Sequence, residues 1–276
     1  MSWTRNLIVG PGSTYANFVI AFTISAPGSY YVTANLIATG SGAGITISAD
    51  NVTLDLNGFA LIGGGSGSVT GINVPSAHKD ILIRNGTVRG WTNGGINASN
   101  ATNSAIQGVR LSNNTAGSTF FNVATLSIGN GSTVKDCLVA QNTNSHGISA
   151  GSACTVSGCI SRANPDGVGI RVIDSCYVVG NVSDSNGTGM SMGSGNRIEG
   201  NSCTSNFNPG ILVPFGATRN LVIRNSARAN NPNYNIAASN RYGTIVNLTP
   251  AGAGAANGDS APLTITSTDP WANFAY

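Results

Sequence analysis

Apolar and polar residues alternate in short runs along most of this chain, and Gly, Ser and Asn break the runs every few residues. Alternation with period two marks β-strands that turn one side inward. A small residue followed by an apolar one opens a series of related segments, among them GITISADNVTLDL, GINVPSAHKDILIRN, GISAGSACTVSGC, GIRVIDSCYVVGN and GILVPFGATRNLVIRN. The anchors are Ile45, Ile72, Ile96, Ile148, Ile170, Met190 and Ile211, with Phe121 and Ile236 as weaker members; in chain order they lie 27, 24, 25, 27, 22, 20, 21 and 25 residues apart. Each unit holds two or three short strands and leaves no room for a helix. So short a unit cannot bury its apolar side alone, so each strand must pair in parallel with its equivalent in the next unit. An all-β solenoid is predicted.

A second column supports this register. Counting eight residues on from Ile106, Val134, Val156, Val178, Ile198 and Val222 reaches Asn114, Asn142, Asn164, Asn186, Asn206 and Asn230. Asn tolerates the left-handed backbone of a sharp corner, and identical amides one coil apart, about 4.8 Å, can hydrogen-bond as a ladder. An open solenoid exposes strand edges, so its ends need covering. Residues 1–43, with Tyr30 and Tyr31, are expected to cap one end, and residues 44–247 form the coils of a single domain. Residues 248–276 read as a loose linker whose aromatic ending, Trp271, Phe274 and Tyr276, folds back on a groove or the far end, or docks on another subunit.

Composition narrows the function. Charged residues are 8% of the 276, against about a quarter in an ordinary globular chain. The 13 Lys and Arg are scattered, the net charge is +3, and no basic stripe offers a surface to nucleic acid. No apolar run is long enough to span a membrane, and no signal peptide is evident in Met1–Phe18. Five cysteines (Cys137, Cys154, Cys159, Cys176, Cys203) cluster mid-chain and read as small buried residues, not a disulfide framework.

These units resemble right-handed parallel β-helix repeat proteins, the pectate-lyase-like superfamily, over about residues 44–247. The stretch Asn51–Gly63 is similar to the opening coil of bacterial members, and Thr266–Tyr276 to the terminus of secreted bacterial β-helix proteins. The resemblance implies a single-stranded right-handed parallel β-helix of about eight or nine coils of 20–27 residues, and an extracellular or cell-surface location in a bacterium.

Candidate chemistry is sparse. Ten Asp and Glu are present and none cluster in sequence, whereas pectate lyases use an Asp cluster for calcium; calcium enters only under a lyase reading. Lys135–Ala140, Ser145–Ser149, Asn164–Gly167 and Gly169–Val172 are similar to polygalacturonase segments, in a different order and spacing. An inverting hydrolase needs two carboxyls roughly 6.5–9.5 Å apart, and no such pair stands out. His146, Asp166 and Arg171 are the candidates for an atypical catalytic site. Arg162, Asp166, Arg171 and Asp174 could line one polar groove, with Trp91 at an outer corner as a sugar-stacking candidate. Glu199 and Arg224 fall on adjacent coils as an ion pair. No metal-ligand spacing is present, and no cofactor is expected. The leading reading is a non-catalytic surface solenoid that recognises carbohydrate or serves structurally. The alternatives are a polysaccharide lyase or hydrolase, and a self-assembling fibre or tailspike-like module; polysaccharide is the partner expected, and an oligomer stays open.

Overall fold

The computed structural model describes residues 22–38, 41–64, 69–115, 123–247 and 268–276, with the strand backbones of 5–8 and 15–18. No helix occurs among the described residues. A typical coil has three strands of three to five residues, such as Thr133–Lys135, Leu138–Ala140 and His146–Ala150, followed one coil later by Thr155–Ser157, Ile160–Arg162 and Val168–Val172. They form the first, second and third faces of a prism, and every pairing between coils is parallel. The third face stacks ten strands from Phe22–Ile24 to Tyr234–Ile236, nine steps of the solenoid.

Alternation decides what fills the prism. Val134, Val156, Val178, Ile198 and Val222 are register partners on the first face, and Ile45, Ile72, Ile96, Leu126, Ile148, Ile170, Met190 and Ile211 on the third. All of them are buried, each worth about 1.5–3 kcal/mol on leaving water. Two anchors change. Phe121 lies outside the described residues, and the column runs from Ile96 to Leu126, a coil of 30 residues. After Ile211 the partner is Tyr234, with Ile236 one alternation later against Val213.

The corners follow one rule. The expected column from Asn114 to Asn230 is present between the second and third faces, buried from Asn114 to Asn206 and half-buried at Asn230, but these Asn are not the left-handed residues. The residues just before them are: Asn113, Gln141, Ala163, Ser185, Ser205 and Ala229 have φ between 52° and 59°. The left-handed residue turns the chain, and the Asn behind it points inward and bonds along the stack. Asn164 donates its backbone N–H (3.1 Å) and its Nδ2 (2.9 Å) to Asn186 Oδ1, while Asn186 Nδ2 donates to Ser161 O (2.9 Å).

The other two corners repeat the device with mixed residues. Between the first and second faces run Cys137, Cys159, Asn181, Asn201 and Asn225, preceded by left-handed Asp136, Gly158, Gly180, Gly200 and Arg224. Between the third and first faces run Ser104, Ser132, Cys154, Cys176, Asn196, Asn220 and Asn240. The buried cysteines thus include four corner residues; all five are free thiols.

Trp91 corrects the sequence reading. It is 1% exposed, not at an outer corner. It occupies the inward position ahead of the ladder, with its backbone N–H on Asn114 Oδ1 (3.1 Å) and its indole N–H on Leu61 O (3.2 Å). Gly44 and Gly71 make room: a Cβ on Gly44 would lie 2.6 Å from the indole.

The ends are built from chain. Residues expected as an N-terminal cap carry strands Arg5–Ile8, Tyr15–Phe18, Phe22–Ile24, Gly28–Val32 and Asn35–Ala38, which pair in parallel as coils themselves. At the other end Asn273–Ala275 inserts between Ser226–Arg228 and Ile245–Asn247. Asn273 Oδ1 accepts from the backbone N–H and Nδ2 of Asn225 (3.0 and 3.1 Å), so the last strand completes a ladder across 48 residues of sequence.

Asn186→Ala leaves two buried Asn164 donors without their shared acceptor, and chemical denaturation is expected to register a loss of about 1–3 kcal/mol for each. Ser185→Gly, at the left-handed position, is expected to stay within about 1 kcal/mol of wild type.

Candidate functional site

The catalytic candidates fall on opposite sides of a wall. His146 is buried on the same side of its strand as Ile148, and its Nδ1 accepts the Val168 N–H at 2.9 Å. Arg171 lies outside on the third face between Ser149 and Ser191. Asp166 is exposed in the turn before that face, where its Oδ2 accepts the Asn144 N–H at 2.9 Å.

The four residues expected to line one groove are likewise dispersed. Arg162 stands on the second face between Ala140 and Asp184, and Asp174 in the turn after the third face, accepting the Ser194 N–H at 2.6 Å. The chain from 162 to 174 turns a corner and crosses the third face, so these side chains leave in different directions. Asp166 and Asp174 each tie a turn to the neighbouring coil. Arg171 borders a trough of about 390 Å³. Asn97, Ser127 and Ser149 floor it on the same outward column, with Asn93 and Asn130 at its rim.

A second cleft, of about 550 Å³, lies at the C-terminal end of the first face. Outward residues Arg197, Leu221 and Arg241 stack in register there. Tyr242, Asp269 and Trp271 also line it. Tyr242 is 54% and Trp271 45% exposed. Trp271 comes from the returning terminus and stacks on the Arg224 guanidinium, 4.3 Å from its ring centre, while Arg224 Nε donates to Pro270 O at 3.1 Å.

Electrostatics organise this end. Glu199 accepts from Arg197 Nε (2.8 Å), Arg224 Nη1 (3.1 Å) and the Tyr177 hydroxyl (3.2 Å). The hydrogen bond from Arg197 is the chief reason its carboxyl is held below the usual range, and the same contact raises the Arg197 guanidinium. Asp269 accepts the backbone N–H groups of Trp271 (2.9 Å) and Thr244 (3.3 Å), the first of which chiefly holds its carboxyl low. Five arginines between 197 and 241 face two described acids, so this end is basic. The ion pair of Glu199 with Arg224 was legible from coil spacing. Arg197 and Arg241 carried a signal too, each standing one residue before an inward position. Nothing local pointed to Trp271 in this cleft.

Residues 124–250 match the sequence model of a family described as periplasmic copper-binding protein (NosD). Among the described residues no three His, Cys, Asp or Glu side chains converge, so they do not supply the several-ligand site that divalent copper takes. A search of curated proteins by sequence finds no match. The fold is similar to three solved structures. Pectate lyase Pel9A is 16% identical at TM-score 0.52, over 86% of this chain and 63% of that one. Dettilon tailspike protein (gp208) is 14% identical at 0.52, over 81% and 47%. The enzymatically active domain of bacteriophage CBA120 tailspike protein 2 is 16% identical at 0.53, over 79% and 38%. The chain spans less than two thirds of each, and at these identities the likeness is one of fold. With its parallel register, stacked coils and inward ladders, the chain is a parallel β-helix repeat protein.

Proposed function

We propose that the protein recognises carbohydrate without cleaving it, outside the cell or in the periplasm, and that the cleft of Arg197, Arg241, Tyr242 and Trp271 is where it does so. The observation that carries the reading is the exposure of two aromatic rings beside arginines whose neighbouring carboxylates are already committed. A flat ring offers a sugar a large apolar platform at low entropic cost, and guanidinium groups donate in a fixed fork to hydroxyl or carboxylate oxygens. A glycosidase general acid needs a carboxyl whose pKa is raised so that it holds a proton near neutral pH. Glu199 and Asp269 are both shifted the other way, by their donors. They act here as acceptors and braces. The family description of the matched region supports a periplasmic setting, and the solved relatives include a pectate lyase and two tailspikes.

Calorimetric titration with a panel of neutral and acidic oligosaccharides is expected to find a ligand whose affinity falls about tenfold, or 1.4 kcal/mol, in Trp271→Ala, with no release of reducing ends or unsaturated products. Product release that disappears in Glu199→Gln would overturn the reading.

Acid stability should report the same cluster. The folded-state pKa of Glu199 is lowered, so its contribution is complete above its unfolded value of about 4.3 and is lost as pH falls through the lower folded value. Thermal melts are expected to show wild type losing stability below about pH 4.3, and Glu199→Gln less stable at neutral pH with a shallower acid dependence.

A further inference from the structure

A serine, a histidine and an aspartate meet where the third face turns into the first. Ser76 stands in the turn after strand Ile72–Asn73, and His78 opens the short strand His78–Lys79 that follows. Asp50 lies in the corresponding turn one coil earlier, 28 residues before His78. Ser76 Oγ is 3.2 Å from His78 Nε2, and His78 Nδ1 is 2.9 Å from Asp50 Oδ1.

The acceptor at the end of this chain of contacts fixes the direction of each bond. Asp50 Oδ1 also accepts the Lys79 backbone N–H at 3.1 Å, and the two bonds, that of His78 first, hold its carboxyl below the ordinary range. An ionised carboxylate only accepts, so the proton shared with Asp50 is carried on His78 Nδ1. In the neutral ring Nε2 is then a bare acceptor, and the Ser76 hydroxyl donates to it. A hydroxyl within about 2.6–3.2 Å of a base that a third group orients is the arrangement that turns serine into a nucleophile.

The surroundings suit attack on a carbonyl. Ser76 and Ala77 are exposed, and among the described residues nothing accepts the backbone N–H of either. Two adjacent donors are therefore available beside the nucleophile for an oxyanion. The turn that carries them is braced: Pro75 has its φ fixed by its ring, and Asn100 of the next coil donates Nδ2 to Val74 O (3.3 Å) and Pro75 O (3.1 Å). Ser99, beside Asn100 in that neighbouring turn, lines the trough floored by Asn97 and Ser127. Amides and hydroxyls at such a surface match a polyhydroxylated leaving group.

We propose that Ser76, His78 and Asp50 form a serine-hydrolase triad, as nucleophile, general base and orienting carboxylate, acting on carboxylic esters of a polyhydroxy alcohol. Ser76 Oγ bonds to the acyl carbon while its proton passes to His78 Nε2; the ester C–O bond breaks and the alcohol leaves with that proton. Water then attacks the acyl carbon and gives a proton to Nε2, the bond to Oγ breaks, and Ser76 recovers the proton. The sum is ester plus water to acid plus alcohol. Glycosidic bonds are untouched, so this activity is separate from the carbohydrate recognition assigned to the C-terminal cleft.

The test is hydrolysis of p-nitrophenyl acetate by the full-length chain, together with labelling by a fluorophosphonate and peptide mass mapping. An imidazole cleaves this ester unaided, so the deciding comparison is with Ser76→Ala, which keeps His78 and, at an exposed position, the fold; melting curves check the latter. Wild type is expected to give a burst of about one p-nitrophenolate per chain and a single fluorophosphonate adduct, at Ser76. The steady rate is expected to fall about tenfold or more in Ser76→Ala, His78→Gln and Asp50→Asn, and to be unchanged in Trp271→Ala. Acetate release from an O-acetylated oligosaccharide is expected to be lost with Ser76 as well. Hydrolysis no faster in wild type than in Ser76→Ala, or the lack of an adduct at Ser76, overturns the triad. Turnover of the nitrophenyl ester without acetate release from the oligosaccharide overturns the assignment of the alcohol.

Discussion

The structure depends on what happens at each corner of the coil. A left-handed residue bends the chain, and the residue behind it sends its side chain inward to accept the backbone N–H of the coil before it, as Asn186 does for Asn164. Turning a strand three times per coil breaks the sheet at three places, and buried polar groups at those breaks would each cost about 1–3 kcal/mol. The side-chain acceptors convert the corners into continuous hydrogen-bonded columns. Among the described residues no buried side-chain nitrogen or oxygen lacks a partner. The left-handed positions have their own cost, since Ala163, Ser185 and Ala229 hold a conformation that disfavours a Cβ.

Because the corners are satisfied from within, the outward positions differ from coil to coil. Small residues at Ser127 and Ser149 leave a trough, and stacked Arg197 and Arg241 build one wall of the C-terminal cleft. The other wall is the returning terminus. Asn273 locks it into the ladder between the first and second faces, and Trp271, two residues earlier, is thereby set on Arg224. Cleft and end cap are one object: the strand that closes the solenoid also supplies the aromatic platform.

The corner rule also accounts for the cysteines. Cys159 and Cys176 hand their backbone N–H groups to Asn181 and Asn196 just as an Asn would, but their own sulfurs are weak acceptors. They stand just before two of the columns change to Asn.

By itself the sequence determined the coil period, the inward apolar columns and the Asn column from 114 to 230, because alternation and spacing are local and each coil repeats the signal. The ion pair of Glu199 with Arg224 followed from the same counting. Three things were decided only by the tertiary structure. Trp91 lies inside because the glycines that make room for it, Gly44 and Gly71, belong to earlier coils. Arg162, Asp166, Arg171 and Asp174 disperse because a dozen residues span a corner and a whole face, so closeness in sequence scatters side chains that only a full coil's separation would align. Trp271 reaches its cleft through a strand pairing that joins residues 48 apart, and nothing in the local pattern encodes a contact whose two halves lie on separate stretches of chain.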